Sequence, residues 1–144
     1  MTRRWWGIVA AVVVLAAAVI GWQMHTSSAS PAPLVDVPVT GARLTWDAGS
    51  NSSLPKVTTT VGASDASRVA SLINATQPMG EGPYSCPMDD GSAVEAVFEA
   101  SSGASQAVRV GLTGCAGPEG RFMGDALAAE LHTLAPSGYY SQAG

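Results

Sequence analysis

The chain has 144 residues, with seven basic and eleven acidic side chains and a formal net charge of −4. Arg3 and Arg4 stand ahead of an apolar run, so the remainder of the chain carries five basic against eleven acidic residues, about −6. That balance excludes the basic footprint a protein needs to neutralise phosphates, and with it a nucleic-acid role.

Residues 1–25 read as a membrane segment. Trp5 to Met24 spans 20 residues whose only strongly polar member is Gln23. As a helix at about 1.5 Å per residue it reaches about 30 Å, the thickness of a bilayer's hydrocarbon core. No Lys or Arg occurs after it until Arg43, so the positive-inside rule keeps the N-terminus cytoplasmic and sends the rest outside. Trp5, Trp6 and Trp22 sit at the two ends of the run, where indoles rest at the lipid boundary. The expectation is a single-pass anchor inserted through residues 5–24. A cleaved secretory signal is the alternative, because Ser27-Ser28-Ala29 places small residues for cleavage after Ala29. Both give the same orientation.

Residues 26–38 are rich in Ser, Ala and Pro and read as a linker. Within it Leu34, Val35 and Val37 alternate towards Val39, a pattern compatible with an extended edge segment. Residues 39–136 carry the periodicity of a folded domain. Leu44 and Trp46 alternate over 42–47, and Val57, Thr59 and Val61 over 56–61, which predicts two strands. Gly49 to Ser53 is turn chemistry between them.

Ser64 or Asp65 can cap a helix running to about Ala75, with Val69, Leu72, Ile73 and Thr76 on one face. Pro78 and Gly80 stop it, and Gln77 to Gly91 is irregular. Val94, Ala96 and Phe98 then alternate with Glu95 and Glu99, and Val108, Val110 and Leu112 with Arg109 and Thr113. This is a second hairpin with one wet face, in which Glu95 or Glu99 can face Arg109. The next helix runs from about Gly124 to Leu134, its stripe made by Met123, Leu127, Leu131 and Leu134. Residues 137–144 read as a flexible tail. The expected fold class is α+β: a transmembrane helix, then ββαββα with two helices on one face of a small antiparallel sheet.

Cys86 and Cys115 lie just before and just after the second hairpin, so pairing its strands brings them together. In an exported domain an even cysteine count reads as a disulfide. A redox pair or a metal site would need C-x-x-C spacing or further ligands, which these two lack. The run Pro83-Tyr84-Ser85-Cys86-Pro87, leading through Asp89-Asp90-Gly91 to Thr113-Gly114-Cys115, resembles a segment of uncharacterised exported or lipid-anchored actinobacterial proteins. The resemblance covers about Ser64 to Cys115. It implies a disulfide-stapled extracytoplasmic domain and carries no activity with it.

Candidate chemistry is sparse. His25 reads as a polar flank of the membrane run and His132 as a polar position near a helix end. Asp89-Asp90-Gly91 lacks the alternating ligands of a calcium loop and reads as a turn into a strand. Glu95 and Glu99 form a carboxylate pair on one strand face, better explained as solvated positions facing Arg109. Gly111, Gly114, Gly117, Gly120 and Gly124 mark turns, with Gly120-Arg121 the nearest approach to an anion-binding loop. Tyr139-Tyr140 is a candidate partner contact within the tail. Asn51-Ser52-Ser53 and Asn74-Ala75-Thr76 fit the glycosylation triplet but read as turn and helix-end residues. No cofactor, metal or catalytic set is expected. The function expected is that of a membrane-anchored binding or interaction module, with a secreted enzyme inhibitor presenting Gln77 to Pro87 as the alternative.

Overall fold

The computed structural model describes residues 31–86 and 88–140. The expected membrane helix over 5–24, the cleavage region at Ala29, His25 and residues 141–144 lie outside that range. Among the described residues no helix is long and apolar enough to cross a membrane.

Five strands form one antiparallel sheet: β1 (Val39–Asp47), β2 (Val57–Gly62), β3 (Ala93–Ala100), β4 (Ser105–Gly111) and β5 (Gly117–Pro118). Their spatial order is β2-β1-β3-β4-β5. Two helices complete the domain, α1 (Ala63–Asn74) and α2 (Asp125–Leu134). Since β1 pairs antiparallel with both β2 and β3, those two strands run parallel on either side of it. A parallel step needs a crossover, and α1 supplies it by packing over β1.

Alternation decides which face is buried. Ala42, Leu44 and Trp46 of β1 stand opposite Phe98, Ala96 and Val94 of β3, and Val94 and Ala96 stand opposite Val110 and Val108 of β4. All of these are buried, and they form one core with Ala66, Val69, Ala70 and Ile73 of α1 and Leu127 and Leu131 of α2. The helical residues recur at three- and four-residue steps, the spacing of a single apolar stripe. An Arg68–Glu130 ion pair at 3.0 Å also joins the two helices. Trp46 has no solvent exposure, and its indole N–H donates to Thr59 Oγ1 at 3.1 Å, so the largest core side chain leaves no polar atom unpaired.

Four details depart from expectation. First, α1 starts at Ala63 with Gly62 in the capping position and no side-chain cap bond. Asp65 falls in the first turn, where its charge complements the helix dipole. Second, β5 arises inside the glycine-rich stretch; two residues are too few to carry a periodic signal.

Third, the stretch from Ala32 to Asp36, expected to be linker, is bolted to the domain. Asn74 Oδ1 accepts the Leu34 and Val35 amides at 2.8 and 2.9 Å, while Asn74 Nδ2 donates to Val35 O at 2.7 Å. The Gln106 amide does the same for Asp36 N and Leu34 O. Arg121 donates to Ala32 O, and Val35 is buried.

The beginning of the expected tail is also ordered into the core: Tyr139 is buried and its hydroxyl donates to Pro55 O. Cys86 and Cys115 are joined, with Cα atoms 4.9 Å apart and a sequence separation of 29.

Candidate functional site

Three neighbouring strands end or begin on one side of the sheet, and the residue that steps off each lines a common cleft. These are Ala48 after β1, Ser92 before β3 and Leu112 after β4. The 49–52 turn adds Asn51 and Ser52, the approach to β3 adds Asp90, and the C-terminal segment adds Tyr139 and Tyr140. The cleft is open to solvent on one side and has a volume of about 240 Å³.

The cleft is built on a mesh of short polar contacts. Ser50 N–H and its hydroxyl both donate to Asp90 O, at 2.7 and 3.0 Å. This close approach needs Gly49, whose φ is +79° and whose position would put a Cβ 2.7 Å from Asp90 O. No other residue type combines that backbone conformation with that clearance. Gly49 N–H in turn donates to Asp47 Oδ1 at 3.1 Å. Lys56 pairs with the same carboxylate at 2.9 Å and, with the Gly49 amide, holds the Asp47 carboxyl below its usual range.

Asp90 is fixed through one oxygen. Its Oδ1 accepts Thr113 Oγ1–H at 2.6 Å and Ser92 N–H at 2.9 Å, and the Ser92 and Thr113 hydroxyls lie 3.0 Å apart. The Thr113 hydroxyl first, then the Ser92 amide, hold the Asp90 carboxyl below the ordinary aspartate value, so it is ionised at neutral pH. Among the described residues no hydrogen bond is formed to its Oδ2, to the Asn51 amide or to the Tyr140 hydroxyl. Ser52 Oγ accepts Leu54 N–H at 3.2 Å and keeps its own proton to donate. Tyr140 is half-buried, which pushes its phenol pKa up, and its ring meets His132 edge-to-face at 5.5 Å.

Two weak sequence candidates, Asp90 and Tyr139-Tyr140, are therefore brought together. The others are not. Glu99 lies on the wet sheet face in an exposed pair with Arg43 at 3.1 Å. Glu95 stands opposite Arg109 in register, but the guanidinium donates to Gly91 O at 3.2 Å. His132 is exposed on α2 and touches the cleft only through Tyr140. Asp89 accepts Gly91 N–H at 2.9 Å, a turn contact outside the cleft.

Arg121 points inward to Asn74 O, Thr76 O and Ala32 O and so offers nothing to an anion. Asn74 is spent on residues 34–35. Among the described residues no group of three or more His, Cys, Asp or Glu could hold a metal.

Sequence reasoning missed Asn51, Ser52, Ser92 and Leu112. The available signal was positional: Ser92 and Leu112 flank strand ends and Asn51 and Ser52 lie in the turn between β1 and β2, and their convergence depends on β1 lying beside β3. No protein-family model, curated protein or solved structure matches this chain.

Proposed function

We propose that this is a single-pass membrane protein, cytoplasmic at its N-terminus, whose α+β domain lies outside the membrane and acts as a binding module without catalytic activity. The placement is supported by the leader: Arg3 and Arg4, a spanning-length apolar run and its tryptophans. The disulfide supports an oxidising compartment.

The observation that carries the binding role is the cleft at the sheet end. Its walls are fixed by the Asp90, Ser92 and Thr113 contacts, while Asp90 Oδ2, the Asn51 amide and the Tyr140 hydroxyl keep hydrogen-bonding capacity. The lining is more polar than that of most ligand pockets, so a rigid frame of this kind suits a polar ligand. Cell fractionation tests the placement. The full chain should sediment with membranes, resist alkaline extraction and be trimmed by protease added to intact cells. Recovery from the cytosol with both thiols free contradicts it.

The second reading, a secreted inhibitor, is favoured by the loop 77–86. The Pro78–Arg121 bridge and the disulfide pin the two ends of this exposed loop, and Tyr84 packs edge-on against Phe122 at 5.6 Å. Inhibition of an extracellular protease by the released chain, lost on reduction, supports it; no effect across a broad protease panel counts against it.

A further inference from the structure

We infer that the cleft between the 49–52 turn, Asp90 and Tyr140 is a binding site for a neutral polyhydroxylated ligand, a single saccharide ring. The inference deepens the binding-module reading and rests on it. What each wall offers narrows the chemistry. Asp90 Oδ2 accepts only; Asn51 both donates and accepts; Ser52 donates; the Tyr140 hydroxyl does either. A sugar hydroxyl is at once donor and acceptor, so neighbouring hydroxyls on one ring satisfy this mixture together. Leu112 and Tyr140 add a smaller apolar part to the lining, against which the ring's C–H face can lie.

Other ligand classes fit less well. Among the described residues no Lys or Arg lines the cleft, and the one charged group that does is anionic, which disfavours an anion. An apolar ligand would strip water from Asp90 Oδ2 without replacing its hydrogen bonds. A small cation would find a single carboxylate in the lining, and among the described residues no cluster of three or more His, Cys, Asp or Glu surrounds it. The volume of about 240 Å³ falls just under the usual range for drug-sized pockets, which suits one ring rather than a chain.

The test is a titration of the isotope-labelled full chain in lipid nanodiscs, free of sugar-headed detergent, read by backbone amide NMR. The probes are glucose and N-acetylglucosamine, with tetramethylammonium and acetate as the charged comparisons. A sugar should shift the amides of Asn51, Asp90, Ser92 and Tyr140 saturably, with a dissociation constant of roughly millimolar order. Asp90→Asn keeps the Oδ1 acceptor that Ser92 and Thr113 need, yet turns the free oxygen into a donor. It should weaken sugar binding at least about tenfold while leaving the rest of the spectrum in place. Asn51→Ala, in an exposed turn, should do the same.

No response to either sugar up to about 100 mM, shifts confined to another surface, or unchanged binding in both variants overturns the inference. So does saturation of these amides by tetramethylammonium or acetate instead of sugar. If protease trims the domain on intact cells but no sugar binds, only the ligand class falls. If the domain is protected, the membrane-anchored reading falls whatever the titration gives.

Discussion

Thr59 shows how much a single hydroxyl can decide. It sits on β2 facing the core side and gives Trp46, the largest fully buried side chain, the only acceptor that its indole N–H has among the described residues. Thr59→Val keeps the shape and removes the acceptor. It should destabilise the domain by about 1–3 kcal/mol in denaturant unfolding, the cost of an orphaned buried donor.

Asp90 makes the opposite kind of prediction, one read along pH. Its folded pKa lies below the ordinary value of 3.8, so the stability it contributes is complete above that value. That stability is lost as pH falls through the lower folded pKa. Asp90→Asn should therefore remove part of the acid-induced loss of stability below about pH 4 while leaving the pH dependence near neutrality unchanged. An acid limb identical to that of the parent contradicts the assignment. Neither role was legible in the sequence. Thr59 read only as a strand position and Asp90 only as a turn, because the indole that Thr59 serves lies on the neighbouring strand and the Thr113 hydroxyl that holds Asp90 lies beyond the second hairpin.

The elements themselves were legible wherever periodicity is strong. Leu44-x-Trp46, Val94-x-Ala96-x-Phe98 and the α1 stripe each declare a buried face, and the strands and helices match it within a few residues. Ala32 to Asp36 carried no such signal. Its partners Asn74, Gln106 and Arg121 lie 39 to 89 residues further along, and their amide and guanidinium groups read backbone rather than side chains.

Arg121 is the centre of this docking. It is buried, and Asn74 O at the end of α1 and Thr76 O just beyond it both accept from it, where the helix dipole favours a cation. Arg121→Met keeps the stem and leaves those carbonyls unpaired. A loss of about 2–3 kcal/mol is expected, together with faster amide exchange at Leu34 and Val35. Unchanged exchange there would mean that the docked segment is held by Asn74 and Gln106 alone. The disulfide acts on the unfolded chain instead: opening a loop of sequence separation 29 should cost about 3–4 kcal/mol by the chain-entropy account. Unfolding the domain with and without reductant measures it, and equal midpoints would contradict a stapling role.

At the scale of the molecule, the sheet order turns local pieces into a site. Two hairpins were visible in the sequence, but what joins them was not: β1 pairs with β3, so β1 is interior and the 49–52 turn lies beside the approach to β3. That adjacency explains why Gly49 must be glycine and why Asn51 and Asp90 line one cleft. The final tyrosines are ordered because Tyr139 fills the core and reaches Pro55 O, a contact across the chain that no local tail composition reveals.

The placement of this whole outside the membrane and the closure of its two sulfurs are one claim, since a reducing cytosol would keep the thiols free. Alkylation of cells producing the full chain with a permeant maleimide before lysis, and then intact mass, tests both at once. The expected result is no adduct unless reductant is added first, with Cys86 and Cys115 then modified together. Two adducts per chain without reductant would contradict it.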